Sequence, residues 1–516
     1  MKISKVYVPV VLFAVLVLGI LLGTILDFPN KPNSLSSKDK IDRLLQVIGN
    51  EYVDSVATDT LVDKAISQLL QQLDPHSVYI NASEMTQVSE ELSGNFVGIG
   101  ISFMMLKDTV TVTKTLDGGP ALAAGLKAGD KILFEGKNKL FGRKLATDSL
   151  FKYLKGEPNS EVRLKVFRKS QNKILNFQFK RQQVHISSIE AEVLLPNRTA
   201  YIKISKFAED TAAEFSAALK KLLRQGATSL IIDLRGNGGG YMEQAVSIAD
   251  ELLQKDLLIV YTKAKDGKKE SSIAKSGGLF EKGKLSVLID EYSASASEII
   301  AGAIQDNDRG TIIGRRSFGK GLVQREIGFE DGSAVRLTIA RYYTPTGRSI
   351  QGPYSKGTEA YYESFEDRLT NGELFEKDSI KLSKLEKFKT PKGKIVYGGG
   401  GIVPDVFVAL DSNLDKERLL LLLQSPIPGN FLFEKWDSFK YDRSKIAALP
   451  VNERLVTDFI TYANENGFEL KTDASDRTRI GTYLQAEKIR LLQGDTAYWQ
   501  FILPQIPMIQ AAGISN

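Results

Sequence analysis

Leu285-Ser-Val-Leu-Ile-Asp-Glu-Tyr-Ser-Ala-Ser-Ala-Ser-Glu298 is an apolar run that breaks into a serine-rich turn and then opens a helix. Leu285 to Ile289 has the length and near-continuous apolar character of a strand buried on both faces. The residues that follow predict a helix over Ser297 to Asp306. A serine at such a strand-to-helix turn can project its hydroxyl into a cleft. The helix N-terminus there stabilises negative charge on an attacking oxygen and on the oxyanion that follows. Serine is also a favoured N-cap, which is reason enough for Ser297. Ser293, Ser295 and Ser297 alternate, and periodicity does not choose among them.

On either side of this stretch, strand and helix patterns alternate. Ala200 to Ile204, Ser229 to Leu234, Leu257 to Thr262 and Thr311 to Gly314 read as strands. Ala212 to Arg224 and Glu243 to Leu253 read as helices. This is an α/β layout, whose sites lie at the carboxyl ends of strands. Two further segments of this region carry chemistry. In Ser317-Phe-Gly-Lys-Gly-Leu-Val-Gln324 a lysine stands between glycines, which permit close backbone approach. In an extended chain Gln324 shares a face with Lys320. Lys320 can act as a base only if burial lowers its ordinary pKa of about 10.4, and Gln324 could then orient the amine. Asp233-Leu-Arg-Gly-Asn-Gly-Gly-Gly240 follows a strand directly. Its consecutive glycines leave N–H groups unshielded, as an oxyanion hole requires. The Lys-Ser/Thr and G-x-G-x-x-G patterns of phosphate loops are missing.

The bulk composition bounds these readings. The 516 residues suggest about three domains, and 42% hydrophobic with 25% charged residues is an ordinary globular balance. A net charge of +6 on this length gives no reason to propose nucleic acid. The absence of cysteine excludes disulfides, thiolate nucleophiles and cysteine-ligated metals. Only His76 and His185 are available for imidazole chemistry. The first sits at a helix-ending turn and the second in a connecting strand, so neither is expected to be catalytic. No G-x-S-x-G elbow surrounds Ser295, and no H-E-x-x-H cluster exists. No cofactor and no metal are expected.

Lys2 and Lys5 precede a charge-free apolar run from Val6 to Leu26, about the ~20 residues a membrane-spanning helix needs. The run predicts an uncleaved anchor, with the chain beyond Asp27 outside the cytoplasm. Residues 38 to 90 read as helical. Ile41, Leu44, Leu45, Val47 and Ile48 recur at helical spacing, as do Leu61, Ala65, Leu69 and Leu73, and the pattern ends at Asp74-Pro-His-Ser77. From Asn95 to about Gln182 the pattern becomes β-rich. It includes Val97-Gly-Ile-Gly-Ile-Ser-Phe103 and Gly125-Leu-Lys-Ala-Gly-Asp-Lys-Ile-Leu133, with helices over Pro120 to Leu126 and Asp148 to Leu154. These residues resemble a PDZ domain. The resemblance implies that Val97, Gly98, Ile99, Gly100 and Ile101 form a loop that captures a peptide carboxylate.

Taken in order after a PDZ-like unit, the three segments resemble the carboxyl-terminal processing peptidases (tail-specific proteases) of peptidase family S41. Members carry S-A-S-A-S-E and then F-G-K-G-x-V-Q, with serine and lysine 25 residues apart, and counting back from Lys320 reaches Ser295. The resemblance implies Ser295 as nucleophile, Lys320 as base and Gln324 as its orienting partner. It implies main-chain oxyanion donors at Ala296 and at one glycine of the Gly238 to Gly240 run, with Gly239 and Gly240 the candidates, and a supporting role for Asp306. Asp74-Pro-His-Ser77, Tyr343-Thr-Pro-Thr-Gly-Arg-Ser-Ile350 and Gly401-Ile-Val-Pro-Asp405 also match recurrent family segments. One departure stands out: Lys155-Gly156 occupies the place where the family often has Arg-Gly.

The fold expected is α/β and multidomain. Residues 1–27 form a cytoplasmic stub and an N-terminal transmembrane helix, and 28–90 a linker and helical segment. A PDZ domain, a small β-barrel with two helices, spans 91–182. An α/β S41 peptidase core spans 183–408, and a helical C-terminal extension spans 409–516. The function implied is a serine endopeptidase of envelope proteins that recognises substrate C-termini and works through an acyl-enzyme. The partners implied are protein or peptide substrates with free C-termini and the membrane; a homodimer or an adaptor protein stays open. The competing class is an inert PDZ scaffold, which would have no need to keep Ser295, Lys320, Gln324 and the glycine loop together.

Overall fold

The computed structural model describes residues 8–25, 37–275, 277–382, 385–410 and 414–513, in two compact units, Met1–Leu69 and Leu70–Asn516. In the first, helices Val8–Ile25 and Ser37–Glu51 are followed by Thr58–Gln71, which runs into the second unit. The apolar side chains Leu12, Phe13 and Leu16 are exposed. Helix Val8–Ile25 has 18 residues, about 27 Å at ~1.5 Å per residue against a hydrocarbon core of ~30 Å. Among the described residues no helix is long and apolar enough to cross a membrane. The expected spanning helix is therefore not among the described elements, and Val6, Leu26, Asp27 and most of the linker lie outside the described residues.

The second unit is built on a six-stranded sheet in the order Ile189–Leu195, Thr199–Ile204, Ser229–Asp233, Lys284–Ile289, Thr311–Gly314, Val406–Phe407. The first pairing is antiparallel and the other four are parallel. Alternation along each strand sends side chains to two cores. Ile202, Ile232, Val287 and Ile312 meet the helices Thr211–Arg224, Met242–Asp250 and Ala296–Asp306 on one face. Tyr201, Ile231, Leu288 and Ile313 meet Leu503, Met508 and Ile509 on the other. The C-terminal region, in which the sequence shows no motif, thus supplies the second layer that a parallel sheet needs.

Leu258–Ala264, which reads as one of the same series of strands, belongs to a second sheet. It pairs antiparallel with Lys269–Ile273 and Ala334–Tyr343, and the latter also pairs with Leu322–Gly328 and Val78–Ile80. An apolar run specifies a strand, but its sheet is decided by partners far along the chain.

In the PDZ region, strands from Ile101–Met105 to Lys173–Lys180 form a six-stranded antiparallel sheet over a core that includes Val110, Ile132, Leu150 and Val166. Helices Pro120–Ala123 and Thr147–Leu154 accompany it. Asn95–Gly98 and Gln182–His185 pair separately. The C-terminal helices brace this region. Asp437 receives Lys131 Nζ at 3.0 Å and Lys169 Nζ at 2.7 Å. The Tyr441 ring lies where a Cβ on Gly129 would come within 2.7 Å of it.

Candidate active site

The strand Lys284–Ile289 delivers its C-terminal end into the turn that starts the helix Ala296–Asp306, and here the structure separates the three serines. The Ser293 hydroxyl donates to Leu234 O at 2.8 Å and accepts the Asp290 N–H at 2.9 Å. The Ser297 hydroxyl donates to Asn237 O at 2.9 Å. Both residues are fully buried, so their hydroxyls act as braces between neighbouring strand ends. Ser295 between them is partly exposed, with φ 55° and ψ −112°. A non-glycine residue in this region carries about 1–3 kcal/mol of backbone strain, and such strain clusters at functional turns.

The glycine run lies against this serine. A Cβ on Gly239 would sit 2.8 Å from Ser295 Cβ and 3.2 Å from Ala296 N, and one on Gly240 only 2.2 Å from Phe207 O. Only glycine allows that approach. The Gly239 N–H is engaged by Asn237 Oδ1 at 2.9 Å. Of the three donors expected at an oxyanion site, Gly240 and Ala296 are the two whose N–H has no acceptor among the described residues. Ala296 opens the helix, so its N–H has no intrahelical partner.

Lys320 precedes the strand Leu322–Gly328, and its Nζ donates to Gln324 Oε1 at 2.9 Å. Burial, and then the Arg336 charge, lower the Lys320 pKa from its ordinary value; Glu298 and Asp74 pull the other way. No hydrogen bond joins Ser295 Oγ to Lys320 Nζ among the described residues. Their backbones are tied instead. The Tyr342 hydroxyl lies 3.0 Å from Ser295 O and 2.7 Å from Lys320 O.

A stronger tie is Glu298, a residue the sequence reading left without a role. Its carboxylate accepts the Ser295 N–H (2.9 Å), the Ser317 hydroxyl (2.5 Å), the Gly319 N–H (2.8 Å) and the Lys320 N–H (2.9 Å). Burial raises its pKa against the pull of those donors. The Ser295 turn and the Lys320 loop are thus held by one fully buried carboxylate. The Ser-x-x-Glu spacing of a capping box was the signal that could have pointed to it.

His76 also lies here, although the sequence gives it no chemical role. Its carbonyl accepts from Gln324 Nε2, and its Nε2 lies 3.1 Å from Tyr361 Oη. His185, by contrast, pairs with Glu214 and Asn95. Asp306 stands at the far end of the helix Ala296–Asp306. It accepts Arg348 Nη2 at 2.7 Å, with both side chains fully buried, and the Thr346 hydroxyl at 2.7 Å. Its support is structural: it anchors the segment Tyr343 to Ile350 behind the site.

In the expected carboxylate loop, Val97 and Gly98 pair with Gln183 and Gln182. Ile99 is buried in the PDZ core. The Ile99 and Gly100 carbonyls accept from Ala121 and Leu116, and Ile101 begins the next strand. Lys155 pairs with Glu90 of the helix Ala82–Ser93, with its ammonium 5.5 Å from the ring centres of both Phe96 and Phe151.

A strained serine at a helix start and a half-buried lysine thus stand in an α/β core that follows a PDZ-like region in the chain. Residues 198–360 match the model of peptidase family S41, and residues 97–178 match that of the PDZ domain. A carboxy-terminal-processing protease of Bartonella bacilliformis is 33% identical over 63% of this chain and 74% of its own length. A probable CtpA-like serine protease of Staphylococcus aureus is also 33% identical, over 62% of this chain and 65% of its own. This chain thus spans somewhat less than two thirds of the length of that relative. Among solved structures, the photosystem II D1 C-terminal processing protease is 26% identical and covers 74% of this chain and 90% of its own, with a TM-score of 0.36. The chain belongs to peptidase family S41, among the carboxy-terminal-processing proteases.

Proposed function

We propose that this protein is a serine endopeptidase that captures substrate C-termini with its PDZ domain and cleaves through an acyl-enzyme on Ser295. The carrying observation is the half-buried Lys320, its amine on Gln324 Oε1 and its loop joined to Ser295 through Glu298. Neutral Lys320 takes the Ser295 hydroxyl proton as Oγ attacks the scissile carbonyl carbon. The Ala296 and Gly240 N–H groups face the developing oxyanion. The lysine ammonium then passes its proton to the leaving amine, and water releases the acyl group. An inert scaffold has no use for a lysine held free of its usual hydration. The test of tail capture is a substrate whose terminal carboxylate is amidated. Its KM should rise about tenfold or more, because a buried carboxylate contact is worth ~1.5–3 kcal/mol. An unchanged KM would remove the PDZ domain from recognition.

We further propose that the helix Val8–Ile25 and its flanks anchor the chain in a membrane, with the peptidase outside the cytoplasm acting on envelope proteins. The continuous exposure of Leu12, Phe13, Leu16 and Leu18 supports this reading. Full-length protein should sediment with membranes and resist carbonate extraction, whereas a chain beginning at residue 37 should not. Full-length protein in the soluble fraction would refute the anchor.

A further inference from the structure

The turn Asp74 to Ser77, which the Ser–Lys reading does not require, is built into the base. Asp74 Oδ1 accepts the His76 and Ser77 N–H groups, both at 2.8 Å, and Oδ2 accepts the Ser77 hydroxyl at 2.6 Å. The turn is locked to the second sheet. Thr338 N donates to Ser77 Oγ at 3.1 Å, and its hydroxyl donates to Asp74 Oδ1 at 3.2 Å. Thr338 is the cross-strand partner of Gln324. From the other side, the Tyr362 hydroxyl donates to Pro75 O at 3.0 Å. Within this frame the His76 carbonyl accepts the Gln324 amide, and the His76 ring lies edge-on to Tyr361 and Phe318, with centroids 5.2 and 6.2 Å away.

A glutamine side chain can flip, presenting either its oxygen or its nitrogen to a neighbour. With Nε2 committed to the His76 carbonyl, Oε1 must face Lys320. There it takes one amine hydrogen and leaves the lone pair of a neutral amine for another partner. Resting on the Ser–Lys reading above, we infer that the Asp74–Ser77 turn positions the base: the His76 carbonyl sets the Gln324 amide, and the His76 ring, held by Tyr361, walls Lys320 from water. His76 is a positioning residue: its ring contacts are Tyr361 and Phe318, and its carbonyl meets Gln324 rather than Ser295. The charged groups that act on Lys320 are Asp74, Glu298 and Arg336, with His76 and Gln324 as neutral neighbours. Burial, and then Lys320, push the His76 imidazole down to about 4, with Asp74 opposing, so the ring is neutral near pH 7.

The experiment measures kcat and KM against pH for a tail-bearing peptide with His76→Ala, His76→Gln and Tyr361→Phe in the full chain. His76→Ala opens the wall, rehydrates the amine and raises its pKa. The acid limb of kcat should therefore move up by about one unit, and kcat at neutral pH should fall about tenfold, with KM unchanged. His76→Gln, which can still reach the Tyr361 hydroxyl, should recover part of the loss. Tyr361→Phe keeps the ring and removes the hydroxyl, and should shift the limb in the same direction by less; it decides the matter if His76→Ala fails to fold in a thermal scan. Acid limbs that coincide with wild type, or a change confined to KM, overturn the inference. Lys320→Ala, run beside these, separates the two ideas: cleavage in that variant would refute the Ser–Lys reading itself.

Discussion

Lys320→Ala is expected to lower kcat by roughly 10²–10⁴-fold, the contribution of a positioned general base, and Ser295→Ala to remove acyl-enzyme formation altogether. Both variants should fold and bind tails like wild type, because neither side chain supports a core. Lys320→Arg is the more telling substitution. A guanidinium keeps its proton at any working pH, so this variant should be as inactive as alanine despite preserving charge and length. In the wild type, burial and Arg336 lower the lysine's pKa, and the neutral fraction grows as pH rises through that lowered value. Activity should therefore climb along an acid limb set by Lys320. Gln324 has no charge to add a second one. Stopped-time peptide cleavage across pH, with mass spectrometry for the acyl-enzyme, checks all of this. Wild-type turnover by Lys320→Arg would remove lysine from the role of base.

Glu298→Ala is expected to be the most damaging substitution at a fully buried residue of the site. It leaves four donors without their acceptor, those at Ser317 and Gly319 buried and those at Ser295 and Lys320 part-buried. Each unmet donor costs about 1–3 kcal/mol. Relaxation and water recover part of that, so a net loss of about 3–5 kcal/mol follows, comparable to breaking a buried ion pair. The second consequence is kinetic. With the tie gone, the serine turn and the lysine loop no longer share a fixed frame, and kcat should fall at least tenfold beyond any unfolding. Glu298→Gln should recover little, because its amide nitrogen would face donors rather than acceptors. Denaturant unfolding together with kcat at saturating substrate measures both effects. A stability loss below ~1 kcal/mol with unchanged kcat would show that the carboxylate ties nothing together.

The legible part of the site lay in short segments. Ser295, Lys320, Gln324 and the glycine run stand in local patterns whose residue types already imply a chemistry. The missed part lay in contacts between segments. Glu298 reads as an ordinary first-turn helix residue until the Lys320 loop is folded onto it. His76 reads as the end of a helical region until Gln324, 248 positions away, donates to its carbonyl. Leu258–Ala264 was legible as a strand but not as a member of the second sheet, because sheet membership depends on pairing with Ala334–Tyr343.

By itself the sequence determined which residues could do the chemistry and which runs would become strands and helices, since apolar period, glycine freedom and proline stops act within a few residues. Only the tertiary structure decided which serine hydroxyls are tied to the strand ends, and it leaves Ser295, the serine that the 25-residue spacing reaches from Lys320, clear of them. By local periodicity the three alternating serines are equivalent. Leu234 O and Asn237 O come from a neighbouring strand end, and they claim the hydroxyls of Ser293 and Ser297. A buried hydroxyl must find its partner where the fold brings one, and Ser295, which has none of these partners, is left at the mouth of the site.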